Sequence, residues 1–333
     1  MRIGTAHARP ARAQSRYPAA RRIPVAALLA FFICAVLPPP GFPAEAPVPF
    51  EGSLTAVSRS GTFVLRYAKG LSKPAREIET LLEESAAGIA RELGLEDIRP
   101  IQVYLVSDGK AYERLHGGRI PEWGVAFADP NRGFLAVNVE LMSRDPGSFG
   151  EVARHELSHL LLAQRVGNAA VPTWFMEGLA MVQARGWDFG DEWRFMMTVG
   201  RGNLPYLEEL RGAFPPTADE AAMSYGLSYI AVAELLRGRP GAVITLTSFL
   251  RDTGDFNAAF VSTFGFTTYD FGSKLYVSVH RRYEIPGTLL NAAPYWAGLA
   301  LLFVAVYLIK KYRSRRKLER WAEEEARESR IWY

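Results

Sequence analysis

Two histidines four residues apart, His155 and His159, with Glu156 between them, constrain this chain more than any other feature. On an α-helix a step of four residues advances about 400°, so both imidazoles leave one face, a turn apart. The flanking residues predict that helix. Ser148 and Glu151 read as a capping box at its start, and Gly167 stands where a helix C-terminus calls for glycine. Val152, Leu157, Leu160 and Leu161 are apolar and anchor it in a core. Two imidazole nitrogens so placed suit the first two ligands of a zinc ion, Zn2+. Glu156 points about 100° away, within reach of a zinc-bound water without being a ligand.

A third ligand is expected from the segment Pro172-Thr173-Trp174-Phe175-Met176-Glu177-Gly178-Leu179-Ala180. The connection from Gly167 to Pro172 is short, and Thr173 is placed to cap a second helix running to about Arg185, before Gly186. Helices joined by a short connection lie antiparallel, which returns Glu177 toward the histidines. An acidic residue near a helix start is also favoured by the helix dipole alone. Beside two correctly spaced histidines, the ligand reading prevails. Three protein ligands leave a fourth position for water, the pattern of a catalytic zinc.

His155-Glu156-Leu157-Ser158-His159 followed by Trp174-Phe175-Met176-Glu177-Gly178-Leu179-Ala180 resembles the gluzincins, specifically the bacterial peptidase MA-like domains, from about Gly61 to Tyr283. The resemblance implies that His155, His159 and Glu177 bind zinc and that Glu156 is the general base. Met223 to Tyr229 resembles that family's A-Y-x-x-S segment, which implies an oxyanion-stabilising role for Tyr225, with Tyr229 its rival one turn on. One position departs. The family often has a carboxylate four residues after the glutamate ligand, and this chain has Met181 there, so the group that orients one histidine must come from elsewhere.

Charge is unevenly distributed. The net charge is +4, but residues 1–22 carry six arginines and no acids, and residues 310–333 carry nine basic and five acidic side chains. Subtracting the +10 of the two ends from the total leaves −6 for residues 23–309. The high isoelectric point is therefore no sign of a nucleic-acid partner. Residues 1–46 read as a signal peptide or N-terminal signal anchor: Arg21-Arg22, an apolar run from Ile23 to Leu37, a stop at Pro38-Pro39-Pro40-Gly41, and a small-x-small pattern at Ala44-Glu45-Ala46. Cys34, the only cysteine, lies in that run, which excludes disulfides and a thiolate zinc site from the mature domain. Leu289 to Ile309 is uncharged and long enough to cross a bilayer, with Tyr295-Trp296 as interfacial anchors. Lys310 to Lys317 stops it, which places that end in the cytoplasm and residues 47–288 outside.

Between the two runs, strands are predicted at Thr62–Tyr67, Ile101–Val106, Pro121–Ala126 and Gly133–Val139, with a turn at Asp129–Arg132. The first two enclose a helix of about Pro74 to Leu93. Gly133–Val139, or its neighbour, is expected by resemblance to lie along the cleft and pair with extended substrate, the chain then entering the zinc helix through Arg144-Asp145-Pro146-Gly147. Beyond Gly186 the chain reads as helical, over Ala218–Arg237, Val243–Leu250, Phe256–Phe264 and Tyr269–Arg281.

The expected fold class is α+β: a zincin-like lobe of mixed sheet and H-E-x-x-H helix, a helical C-terminal lobe, and one C-terminal transmembrane helix at 289–309 with a basic tail at 310–333. The expected function is a zinc metallopeptidase anchored in the cell membrane. It would hydrolyse a peptide or protein substrate outside the cytoplasm, with one span, or two if the signal stays uncleaved. The alternative is an inactive zincin-like module that binds an envelope protein or peptide; Met181 favours it and the intact His155, Glu156, His159 and Glu177 oppose it.

Overall fold

The computed structural model describes residues 54–116, 124–144, 146–187, 189–199, 204–215, 217–283 and 293–328. The signal expected over 1–46 lies outside them. Chain contacts define two units, one ending at His280 and one from Arg281 onward.

The first unit is mixed α+β. Five strands, β1 (Leu54–Val57), β2 (Phe63–Tyr67), β3 (Ile101–Val106), β4 (Ala126–Asp129) and β5 (Phe134–Asn138), form one sheet in the order β1-β2-β3-β5-β4. β2, β3 and β5 run parallel, and both outer strands are antiparallel to their neighbours. Two interior strands are the most buried: all of β5, and β3 except Gln102. That is expected of parallel strands covered on both faces. Helix α1 (Ser72–Leu93) supplies the crossover from β2 to β3. It buries Ala75, Ile78, Leu82, Ala86, Ile89 and Leu93, a stripe at helical spacing, and packs on β2.

The edge of the sheet differs from expectation in three ways. The strand expected at Pro121–Ala126 forms instead over Ala126–Asp129, and residues 121–123 lie outside the described chain. A tight turn sets this register: the Gly133 N–H donates to the Asp129 carbonyl (2.8 Å), Gly133 has φ +67°, and the Asp129 carboxylate accepts from the Arg132 N–H (2.9 Å). The residues directly before the turn must then pair, Ala128 with Leu135 and Ala126 with Val137. Gly133–Val139 cannot be the substrate-pairing edge, because β5 is bonded on both sides; among the described residues its neighbour β4 is the edge strand on that side. Val139 opens a short helix, α3 (Val139–Arg144), capped by the Asn138 side chain, which accepts from the Leu141 N–H (3.2 Å). The helix that carries His155 and His159 is thus entered from a helix rather than a strand. A helix not among those expected, α2 (Gly109–His116), follows β3 and packs on β3 and β5.

The remaining elements are helical. α4 (Pro146–Val166) and α5 (Thr173–Ala184) carry the two motifs. α6 (Phe189–Val199), α7 (Ala218–Leu236), α8 (Ala242–Thr253), α9 (Phe256–Phe264) and α10 (Thr268–Tyr283) follow. Two cap assignments change. Pro146 starts α4, as proline's fixed φ suits a first helical turn, so Ser148 lies inside the helix and is not its cap. Pro172, not Thr173, caps α5, its carbonyl accepting from Phe175 and Met176 (3.0 and 3.1 Å). Gly167 ends α4 as expected, left-handed at φ +63° and donating to the Ala163 carbonyl (2.9 Å).

In the second unit, helix α11 (Ala293–Glu328) contains a stretch, Pro294–Arg313, long and apolar enough to cross a membrane. Its apolar side chains, Leu301, Phe303 and Val306 among them, are exposed. Residues 289–292 of the expected span lie outside the described chain.

Candidate metal centre

α4 and α5 pack against each other, and the short Gly167–Pro172 connection brings Glu177 back onto the histidine face. His155 Nε2 and His159 Nε2 are 3.1 Å apart, and Glu177 Oε2 lies 3.3 Å from the first and 3.6 Å from the second. A zinc ion with ligand bonds of about 2.0–2.1 Å in a tetrahedron holds its ligands about 3.3–3.4 Å apart. The three separations scatter around that edge length. All three side chains are buried, at 1%, 8% and 2% exposure.

Electrostatics agree with the geometry. Burial pushes the His155 imidazole down to about 3 and His159 down to about 4, so both are neutral ligand bases at ordinary pH. Burial raises the Glu177 carboxyl, although the neighbouring His159 opposes it. A dication at the centre of the triad would offset that penalty by favouring the ionised carboxylate and the neutral imidazoles together. The residues therefore fit a metal on three independent counts: atom type, spacing and burial.

Glu156 stands outside the triad, as its place on the helix predicts. Its Oε2 accepts from the Ala128 N–H of β4 at 2.8 Å. Its Oε1 is buried with no hydrogen-bond partner among the described residues. Burial, then the charge of Glu177, raises its carboxyl well above the usual range, and the Ala128 bond opposes them. Nothing in the local sequence signals this backbone donor, because it depends on which strand forms the sheet edge. Asn138 N–H bonds the Val125 carbonyl (2.8 Å), so by antiparallel alternation Val125, Phe127 and Asp129 face β5. Ala126 and Ala128 then turn their backbone groups to the free edge, on the side of Glu156.

α7 crosses α5 so closely that a Cβ on Gly178 would meet the Ser228 carbonyl oxygen. Glu177 is thereby held on a helix wedged between α4 and α7. Tyr225 is buried (2%) on α7 in a cluster with Met181 and Ala221, its ring edge-on to Phe214 at 5.0 Å. Tyr229 stacks on Trp187 at 4.7 Å. Met181 packs in an apolar cluster with Ala221 and Tyr225, and His159 Nδ1 has no hydrogen-bond partner among the described residues. A polar chain ties the two motif helices instead: Ser158 Oγ donates to Gln183 Oε1 (2.6 Å), and Gln183 Nε2 donates to Glu92 (3.0 Å). Among the residues without functional assignment, His116 ends α2 edge-on to Phe127, and His280 stacks on Tyr276.

Residues 83–279, more than half the chain, match the family model of the Peptidase MA superfamily. The chain belongs to that superfamily. No curated protein matches it. A peptidase MA domain is a metallopeptidase-like module, and its members are generally metal-dependent, in keeping with the converged His155, His159 and Glu177. The matched span starts within α1 and ends within α10, so it takes in both motif helices, the edge strand and α7.

Proposed function

We propose that this protein is a membrane-anchored zinc peptidase that hydrolyses peptide bonds outside the cytoplasm. The observation that carries the reading is the spacing of the three ligand atoms, with a buried carboxylate beside them but not among them. His155, His159 and Glu177 would hold zinc. When bound, zinc would polarise the scissile carbonyl and lower the pKa of a water toward about 7. Glu156, fixed to β4 through Oε2, keeps Oε1 free to take that water's proton and pass it to the leaving amine, a role worth roughly 10²–10⁴ in rate. The outward backbone groups of β4 that Glu156 does not occupy would pair with an extended substrate beside the base. Tyr225 would donate to the developing oxyanion. Its ring packs beside Met181, one helical turn beyond Glu177 on α5.

The domain plan completes the reading: a signal over 1–46, the peptidase at 47–288, a span at 289–309 and a cytoplasmic tail at 310–333. One observation favours a second reading, a non-catalytic module binding an envelope protein or peptide: Met181 and the unpartnered His159 Nδ1 leave that ring without the usual orienting carboxylate.

Metal analysis of the purified chain tests the ligand set. Stoichiometric zinc is expected in the wild type and loss of it in His155→Ala, His159→Ala and Glu177→Ala; full zinc in Glu177→Ala would remove that residue from the set. Tyr225→Phe should lower kcat by roughly 10–10³ with zinc and KM little changed, and an unchanged kcat would remove the phenol from the reaction.

A further inference from the structure

One buried polar side chain next to the site has no role in the reading above. Tyr112, on α2, is 3% exposed, and its hydroxyl has no hydrogen-bond partner among the described residues. A buried hydroxyl left unpaired weakens a fold, so its presence calls for an explanation. Its ring stands edge-on to Phe127, centroids 5.2 Å apart. Phe127 directly precedes Ala128, whose N–H holds Oε2 of Glu156. The other oxygen of that carboxylate, Oε1, is likewise buried without a hydrogen-bond partner among the described residues. A lone donor and a lone acceptor thus lie beside the same short strand. Burial, and after it the charge of Glu156, pushes the phenol well above its ordinary value, which keeps the proton on the oxygen and available for donation.

We propose that Tyr112 is a positioning residue for Glu156: its phenol donates a hydrogen bond to Oε1, directly or through one water, in the metal-loaded site. The proposal rests on the reading of Glu156 as the base. With Oε2 held by the Ala128 N–H and Oε1 by the phenol, two donors would fix the plane of the carboxylate. Oε1 keeps a second lone pair for the proton it must collect. The hydroxyl weakens the metal-free fold and acts only in the loaded site. A phenylalanine there would pack against Phe127 equally well, so a merely structural role would not need the oxygen.

The test uses the full chain in detergent, as wild type, Tyr112→Phe, Glu156→Gln and the double variant. After chelator treatment, Tyr112→Phe should melt at or above the wild-type temperature, because an unpaired hydroxyl has been removed. Loaded with cobalt(II) alone, whose visible absorption responds to hydrogen bonding around the metal's open position, Tyr112→Phe should change the spectrum in the wild-type background and leave it unchanged in Glu156→Gln. In zinc-loaded chain its kcat for peptide hydrolysis should fall about 10–100-fold with KM unchanged. Identical cobalt spectra, the same change in both backgrounds, or a lower metal-free melting temperature would overturn the assignment. A wild type that shows the spectral coupling but cleaves no peptide would overturn the peptidase reading and leave Tyr112 in place.

Discussion

Glu156 sits in two conflicting environments. It is 1% exposed, held by a single backbone donor, and next to a second buried carboxylate. Its folded pKa lies well above the ordinary value of 4.5, so the folded state binds its proton more readily than the unfolded chain does. Stability from this group is complete below that ordinary value and is lost as pH rises toward the folded one. Glu156→Gln removes the titration. In chelator-treated protein the variant should therefore gain stability over the wild type, by about 1.4 kcal/mol for each tenfold difference in proton affinity between the folded and unfolded chain. The gain should be visible at about pH 8 and not at about pH 4. Melting curves at the two pH values check this; an equal difference at both would mean the carboxyl is not perturbed. Single residues also differ in how far the sequence discloses them. His155, His159 and Glu177 were legible because helical periodicity and one short connection decide where they point. The Ala128 N–H and the Tyr112 hydroxyl were not, because their contacts exist only once the sheet edge has formed.

At the scale of elements, the site depends on α5 keeping its place between two neighbours. On one side Ser158 bonds Gln183 and Arg154 Nε reaches the Ala184 carbonyl (3.2 Å), which ties α5 to α4. On the other, Gly178 allows the backbone of α7 to lie against α5, where a side chain would strike Ser228 and Val232. Gly178→Ala should therefore cost about 1–3 kcal/mol through overpacking. Because Gly178 adjoins Glu177, it should also weaken zinc retention. Thermal unfolding and metal content together check this, and wild-type values for both would show that α7 yields easily. Helices α1 and α7 were readable from apolar spacing, α4 and α5 from the glycines that end them and the short connection between them, and β2 and β3 from β-branched and aromatic runs. The edge of the sheet was not. Asp129 and Gly133 set a turn whose register decides between β4 at 121–126 and at 126–129, and Asn138 diverts the chain into α3 through a side-chain cap. Both depend on local hydrogen bonds that hydropathy patterns do not report.

For the whole molecule, the uncharged stretch before Lys310 and the basic clusters at both ends are the basis of the proposed topology. A reporter fused after Tyr333 should be cytoplasmic and one inserted near Gly186 should be outside; a peptidase domain shielded from protease added to intact spheroplasts would contradict this. The centre of the proposed chemistry is narrower: His155, His159 and Glu177 hold a metal for a reaction in which Glu156 moves the proton. The most direct measurement is a side-by-side zinc analysis and peptide-hydrolysis assay of the full-length wild type and Glu156→Gln. One zinc per chain is expected in both, with hydrolysis reduced by roughly 10²–10⁴ in the variant alone. Zinc lost with Glu156, or hydrolysis surviving without it, would contradict these roles.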